Sequence, residues 1–204
     1  MSSNGTSVDQ PAVVRRLEGP SATLLGDLVA TFEELKMTLR CCERLVVELG
    51  ADEPDDIVVE AVWTTALMSY ARCFAEPSAG GRLITEDLTA STPEGDVLEW
   101  HEVLMRLRDH YADPAANPRE RFTVAVTQDD DGSPSGVAIT SARQPLVDDL
   151  TVRQTGAIAY ALSGLVNERI EAQQLVVSTE LEATSRTDLD KLDRVEIAAA
   201  SPGS

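Results

Sequence analysis

The feature that most constrains this chain is a run of apolar residues with a two-step spacing. Leu28, Phe32, Leu35, Leu39, Cys42, Val46 and Leu49 are separated by 4, 3, 4, 3, 4 and 3 positions. Only an α-helix places such residues on one seam. The spacing predicts a helix of about 28 residues, with Ser21 as its N-cap and Gly50 at its C-cap. One long amphipathic helix must bury its stripe against other helices, so the seam points to a helical bundle.

The next segments fit that frame. Pro54, Asp55 and Asp56 start a second helix, with acids favourable at its N-terminus. Val59, Val62, Trp63, Ala66, Leu67, Tyr70 and Phe74 form its broad apolar face. It ends before Pro77 and the Gly80-Gly81 pair, and it makes an antiparallel hairpin with the first helix. Residues 82–95 read as a short polar connector. A third helix then runs from about Gly95 to Tyr111, with Val97, Trp100, Leu104, Leu107 and Tyr111 inward.

The period then changes to two. Phe122, Val124 and Val126 alternate with Thr123, Ala125 and Thr127, and Val137 and Ile139 repeat the pattern beyond Asp129-Asp130-Asp131-Gly132. This predicts a β-hairpin over about 121–141. The three aspartates lack the alternate acids and terminal Glu of a calcium loop, so they read as a solvated turn. A last helix follows from about Val147 to Glu182, its part beyond Glu171 expected to project as a dimer arm or fray. The expected fold is mainly α: a four- to five-helix up-and-down bundle with one small β-hairpin insertion before a long C-terminal helix. Residues 1–20 are expected to be a disordered leader, 21–184 a single domain and 185–204 a flexible tail.

Charge and composition narrow the function. There are 17 Lys+Arg against 35 Asp+Glu, a formal net charge of −18. Such a surface disfavours gripping phosphates broadly, because nucleic-acid binding depends on bases that neutralise them. No apolar run is long enough to span a bilayer, and Met1 to Gln10 shows no secretory pattern, so the expected location is the cytoplasm. Cys41, Cys42 and Cys73 read as reduced, packed thiols. Only His101 and His110 are available as imidazole ligands, so no metal and no cofactor is assigned. A phosphate-binding glycine loop and a Gly-x-Ser-x-Gly elbow are both missing from the sequence.

Three segments in this order carry a resemblance. They are Trp63-x6-Tyr70-Ala71-Arg72-Cys73-Phe74, then Trp100-His101-x5-Leu107-Arg108-Asp109-His110-Tyr111-Ala112, then Asn117-Pro118-Arg119-Glu120 before the hairpin. Together, over roughly residues 22–175, they resemble the HEPN-like helical proteins of bacteria, the higher-eukaryote and prokaryote nucleotide-binding superfamily. For active members the resemblance implies metal-independent RNA cleavage. An Arg and a His, four to six residues apart near a helix end, converge there at a homodimer interface. Arg stabilises charge building on a phosphate, and His moves a proton near neutral pH.

This chain departs from that pattern at the decisive position. Counting from Arg108, the His falls near Asp113 or Pro114, and neither is His. His110 lies two residues after Arg108, on another face of the helix, whereas Arg106 and His110 are four apart and share a face. The catalytic candidates are therefore Arg108 with His110, or Arg106 as the alternative base. A binding groove near Arg72, Tyr70 and Asp113 is the accompanying candidate. Arg72 either lines that groove or pairs with a carboxylate. His101 reads as a surface neighbour of Trp100. Trp63, Trp100, Tyr70 and Phe74 read as core.

Three functions follow as expectations. The first is a catalytically silent HEPN-like module that acts by binding, as a homodimer and with a protein partner. The second is a ribonuclease of toxin type with an altered Arg/His dyad, for which alone RNA is a partner. The third is an acidic protein that binds a basic partner or mimics nucleic acid.

Overall fold

The structure is a computed structural model that describes residues 13–75, 80–91, 95–115 and 117–196. It is mainly helical, with a two-stranded antiparallel hairpin before the long last helix, as the sequence patterning predicts. Four long helices carry the architecture: α1 (Pro20–Leu49), α2 (Asp56–Arg72), α4 (Val97–Ala112) and α5 (Asp149–Glu182). A short α3 (Thr85–Ala90) lies in the segment read as a connector.

The helices alternate in direction. Gly156 of α5 meets Cys42 of α1, and Gln173 Nε2 donates to the Ser21 carbonyl, so α5 runs antiparallel to α1. The α2 helix returns along the other side of α1, where Arg72 reaches Glu34. The α4 helix then runs back along α2.

Lying between two partners explains why α1 buries more than its heptad seam. Leu28, Leu35 and Cys42 are buried, but so are Thr31, Thr38, Cys41 and Leu45, a second stripe the spacing does not reveal. The buried threonines are tolerated because their hydroxyls are satisfied. Thr31 Oγ1 donates to the Gly81 carbonyl at 2.7 Å, and Thr38 Oγ1 to the Glu34 carbonyl at 3.0 Å. Leu35, Leu45, Leu67, Leu104 and Leu162 complete the fully buried centre. Each such side chain contributes about 1.5–3 kcal/mol relative to leaving it in water.

Local details decide where the elements begin. Gly19, not Ser21, is the N-cap of α1, with Pro20 in the first turn where its missing N–H is harmless. Ser21 instead donates its hydroxyl to Glu180 Oε1 at 2.6 Å. The α2 helix starts with acids as expected, and Asp55 is its N-cap, its Oδ1 accepting from the Ile57 and Val58 amides. The α5 helix does not leave the bundle beyond Glu171: Val177 is buried, and Gln173 and Glu180 hold the start of α1.

The hairpin is formed by β2 (Glu120–Gln128) and β3 (Pro134–Arg143), with Val124 opposite Ile139 and Val126 opposite Val137. Gly132 takes a positive φ of 85° at its tip, a conformation that costs glycine little. Residues 1–12 and 197–204, within the expected leader and tail, lie outside the described residues. Within the expected leader and tail, however, β1 (Val14–Arg15) pairs antiparallel with β4 (Arg194–Val195), beyond a one-turn α6 (Arg186–Leu189). Arg15 reinforces that clasp by donating from NH1 to the carbonyls of Asp190 and Leu192.

Candidate functional site

The α4 helix carries most of the candidate chemistry. It starts at Asp96, whose Oδ1 accepts from the Glu99 amide. Its antiparallel packing on α2 brings His101 against Tyr70, and the Tyr70 hydroxyl lies 2.8 Å from His101 Nδ1. Tyr70 is fully buried, so it belongs to the core as the sequence indicates and does not line an open groove. Burial pushes its phenol pKa up, with the Cys73 thiol adding to the shift. Burial also pulls the His101 imidazole down, against a smaller opposing effect of the Glu102 carboxylate. The ring of Phe74 sits 4.5 Å from that of His101 and 5.2 Å from that of Tyr70, so the three form one aromatic cluster.

His101 opens on its outer side into a crevice of about 510 Å³ between α4 and the start of α3. Thr85, Glu102, Met105, Arg106 and Asp109 share its wall. Arg106 NH1 is 3.6 Å from Glu102 Oε2, one turn earlier on the exposed face.

The other sequence candidates each have a partner of their own. Arg108 is half-buried, and its Nε lies 2.9 Å from Asp109 Oδ1 without the alignment of a hydrogen bond. His110 is exposed in the last turn of α4, edge-on to Tyr111 at 6.0 Å between ring centres. Arg72 NH1 sits 3.4 Å from Glu34 Oε1, tying the end of α2 to α1. Asp113 is the C-cap residue of α4, and its Oδ1 accepts from the Ala115 amide. Each of the basic candidates Arg72, Arg106 and Arg108 thus faces a carboxylate.

His101 is the residue that sequence reasoning undervalues. It is not a mere surface neighbour of Trp100, because its ring bonds to a core tyrosine on another helix. A signal is present: Val97, Trp100, His101 and Leu104 follow the i, i+3, i+4, i+7 pattern of an inward stripe.

A second polar centre lies where the hairpin leaves the bundle, in a crevice of about 620 Å³. Arg119 Nε donates to Glu60 Oε2 at 2.7 Å, and that hydrogen bond raises the guanidinium pKa further. Arg143 NH1 reaches Asp56 Oδ2 at 3.5 Å and Arg143 Nε lies 3.9 Å from Glu120. The Gln144 amide donates to the Arg119 carbonyl and closes the base of the hairpin. Among the described residues, no group of three or more His, Cys, Asp or Glu is placed to hold a metal ion. No helix there is long and apolar enough to cross a membrane.

No family model, curated protein or solved structure matches the chain.

Proposed function

We propose that this chain is a catalytically silent, HEPN-like helical binding module that acts as a homodimer and engages a protein partner. One observation carries the reading. The bases that would serve phosphate chemistry, Arg72, Arg106 and Arg108, each lie against a carboxylate, and His110 is exposed and edge-on to Tyr111. A guanidinium already facing Glu or Asp offers little to a phosphate, and the acidic surface around it repels one. The bundle supplies rigid exposed faces instead. The test is incubation of the purified chain with total RNA and tRNA, beside Arg108→Ala. Intact RNA in both is the expected result. Cleavage by the wild type that Arg108→Ala abolishes would overturn the reading.

A second reading, a metal-independent ribonuclease with an altered dyad, is favoured by a different pair. Arg106 and His101 line the same crevice, and burial pulls the His101 imidazole down, a shift toward the neutral form that a general base uses. RNA cleavage lost in both Arg106→Ala and His101→Ala, but kept in Arg108→Ala, would select it.

A further inference from the structure

The hairpin is the anomaly of this molecule. A quarter of the chain is charged, yet residues 122–128 and 132–142 contain no Asp, Glu, Lys or Arg. One face of the hairpin gathers Phe122, Val124 and Val126 with their cross-strand neighbours Val137 and Ile139. All five are mostly exposed, from 57% for Phe122 to 76% for Val137. The reverse face carries Thr123, Ala125 and Thr127 opposite Thr140, Ala138 and Gly136. Exposed apolar residues scattered singly need no explanation, but a contiguous face does.

We infer that this face is the seat of a second copy of the same chain, the two hairpins stacked antiparallel about a two-fold axis. The inference rests on the homodimer reading above and specifies its interface. Charge selects the occupant and its direction. Two copies of a chain with a net charge of −18 repel unless they meet where neither is charged. The uncharged middle of the hairpin is such a place. Antiparallel stacking puts the two acidic bundles at opposite ends of strands roughly 30 Å long, since each residue advances about 3.4 Å. That is more than three screening lengths at physiological salt, about 8 Å each. Parallel stacking would bring the bundles together and set one tip of three aspartates against the other.

The ends of the hairpin also complement each other. Its tip holds Asp129, Asp130 and Asp131. At its root Arg143 is 78% exposed on the apolar side, in register with Glu120. Arg143 holds Asp56 and Glu120 only loosely, at 3.5 and 3.9 Å. In the antiparallel stack each acidic tip therefore falls over its partner's Arg143. That is the self-complementarity an isologous two-fold interface requires. The five apolar side chains of two copies supply on the order of 1,000 Å², and tip-to-root contacts bring the total to the roughly 1,200 Å² where specific interfaces begin.

Sedimentation equilibrium of the full chain across micromolar to hundred-micromolar concentrations tests this. The wild type should reach twice the single-chain mass. Val124→Glu with Ile139→Glu should give the single-chain mass with the helical far-ultraviolet circular dichroism retained, because both residues lie outside the core. Asp130→Lys and Arg143→Glu should each shift the population toward single chains, and the two combined should restore the dimer. A dimer that survives Val124→Glu with Ile139→Glu overturns this interface but leaves the homodimer reading standing. A single-chain mass for the wild type throughout overturns both. Charge variants that leave the dimer unmoved, or a pair that fails to rescue, overturn the antiparallel arrangement.

Discussion

The hydroxyl of Tyr70 and Nδ1 of His101 are 2.8 Å apart, although 31 residues separate them in the chain. This contact joins α2 to α4 through a fully buried phenol and a half-buried imidazole. It leads to a pH effect with a definite sign. The unfolded chain holds His101 near the ordinary value of 6.5, and the folded chain holds it lower. Between those two values the unfolded state binds the extra proton, so stability falls as pH drops below 6.5 and levels off below the folded value. Urea midpoints from pH 7.5 to 5 should decline over that interval, and His101→Leu should flatten the decline. Removing the hydroxyl in Tyr70→Phe should lower stability by about 1–2 kcal/mol at pH 7.5, the range for a buried group left without its partner.

The Asp87–Arg169 pair makes a second test. Asp87 is buried, its carboxylate accepts from both terminal nitrogens of Arg169 and from the Ile84 amide, and those contacts hold its pKa below the ordinary value despite burial. Arg169→Met leaves that carboxylate buried with the Ile84 amide as its donor. Breaking a fully buried pair costs about 3–5 kcal/mol; with the guanidinium one-third exposed, about 2 kcal/mol is expected. Arg169→Lys should recover only a fraction of that loss, because a single ammonium cannot make the two-pronged contact. The expected order in guanidinium denaturation is wild type, Lys, Met. A Met variant as stable as the wild type would show that the pair contributes nothing.

Gly81 gives a steric prediction. A Cβ there would lie 2.1 Å from the Asp27 Cβ and 3.0 Å from the Asp27 carbonyl carbon, so the segment after α2 approaches α1 as closely as glycine permits. Gly81→Ala should cost about 1–3 kcal/mol, as overpacking does. Gly26→Ala, whose added methyl meets nothing within 4 Å, serves as the control and should be neutral or better. Equal melting temperatures for the two variants would contradict the close approach.

The three thiols should be chemically quiet. Cys41, Cys42 and Cys73 are all buried, and burial pushes Cys42 and Cys73 up to about 12. Thiolate is the reactive form, so native protein at pH 8 should take up iodoacetamide far more slowly than protein in urea. Intact-mass spectra over time would show it. Equal rates in the two conditions would mean that the cysteines are accessible.

What the sequence makes legible is periodicity, and what it conceals is partnership. The 4-3 spacing of α1, the apolar face of α2 and the alternation of the hairpin each announce an element, because side-chain period is a local property. Thr31 and Thr38 carry no apolar signal, yet they are buried: Thr38 bonds the Glu34 carbonyl of its own helix, and Thr31 bonds the Gly81 carbonyl, which only the folded chain supplies. The α3 helix and the β1–β4 clasp escape sequence reading because six and two residues are too few to show a period. The candidate site divides in the same way. Arg72, Arg106 and Arg108 are visible as residue types, but their neighbours depend on which helices pack together. His101 reads as a surface residue for want of its distant partner, Tyr70.

The clasp has a mechanical consequence. Val14 faces Val195 and Arg15 faces Arg194, so the chain enters and leaves the bundle at a single point. Tension drawn through residues 13 and 196 in opposite directions runs across this ribbon and not along it. Hydrogen bonds loaded that way break in succession, as a zip opens, at low force. The clasp therefore yields first, and the long helices are spared until it has opened.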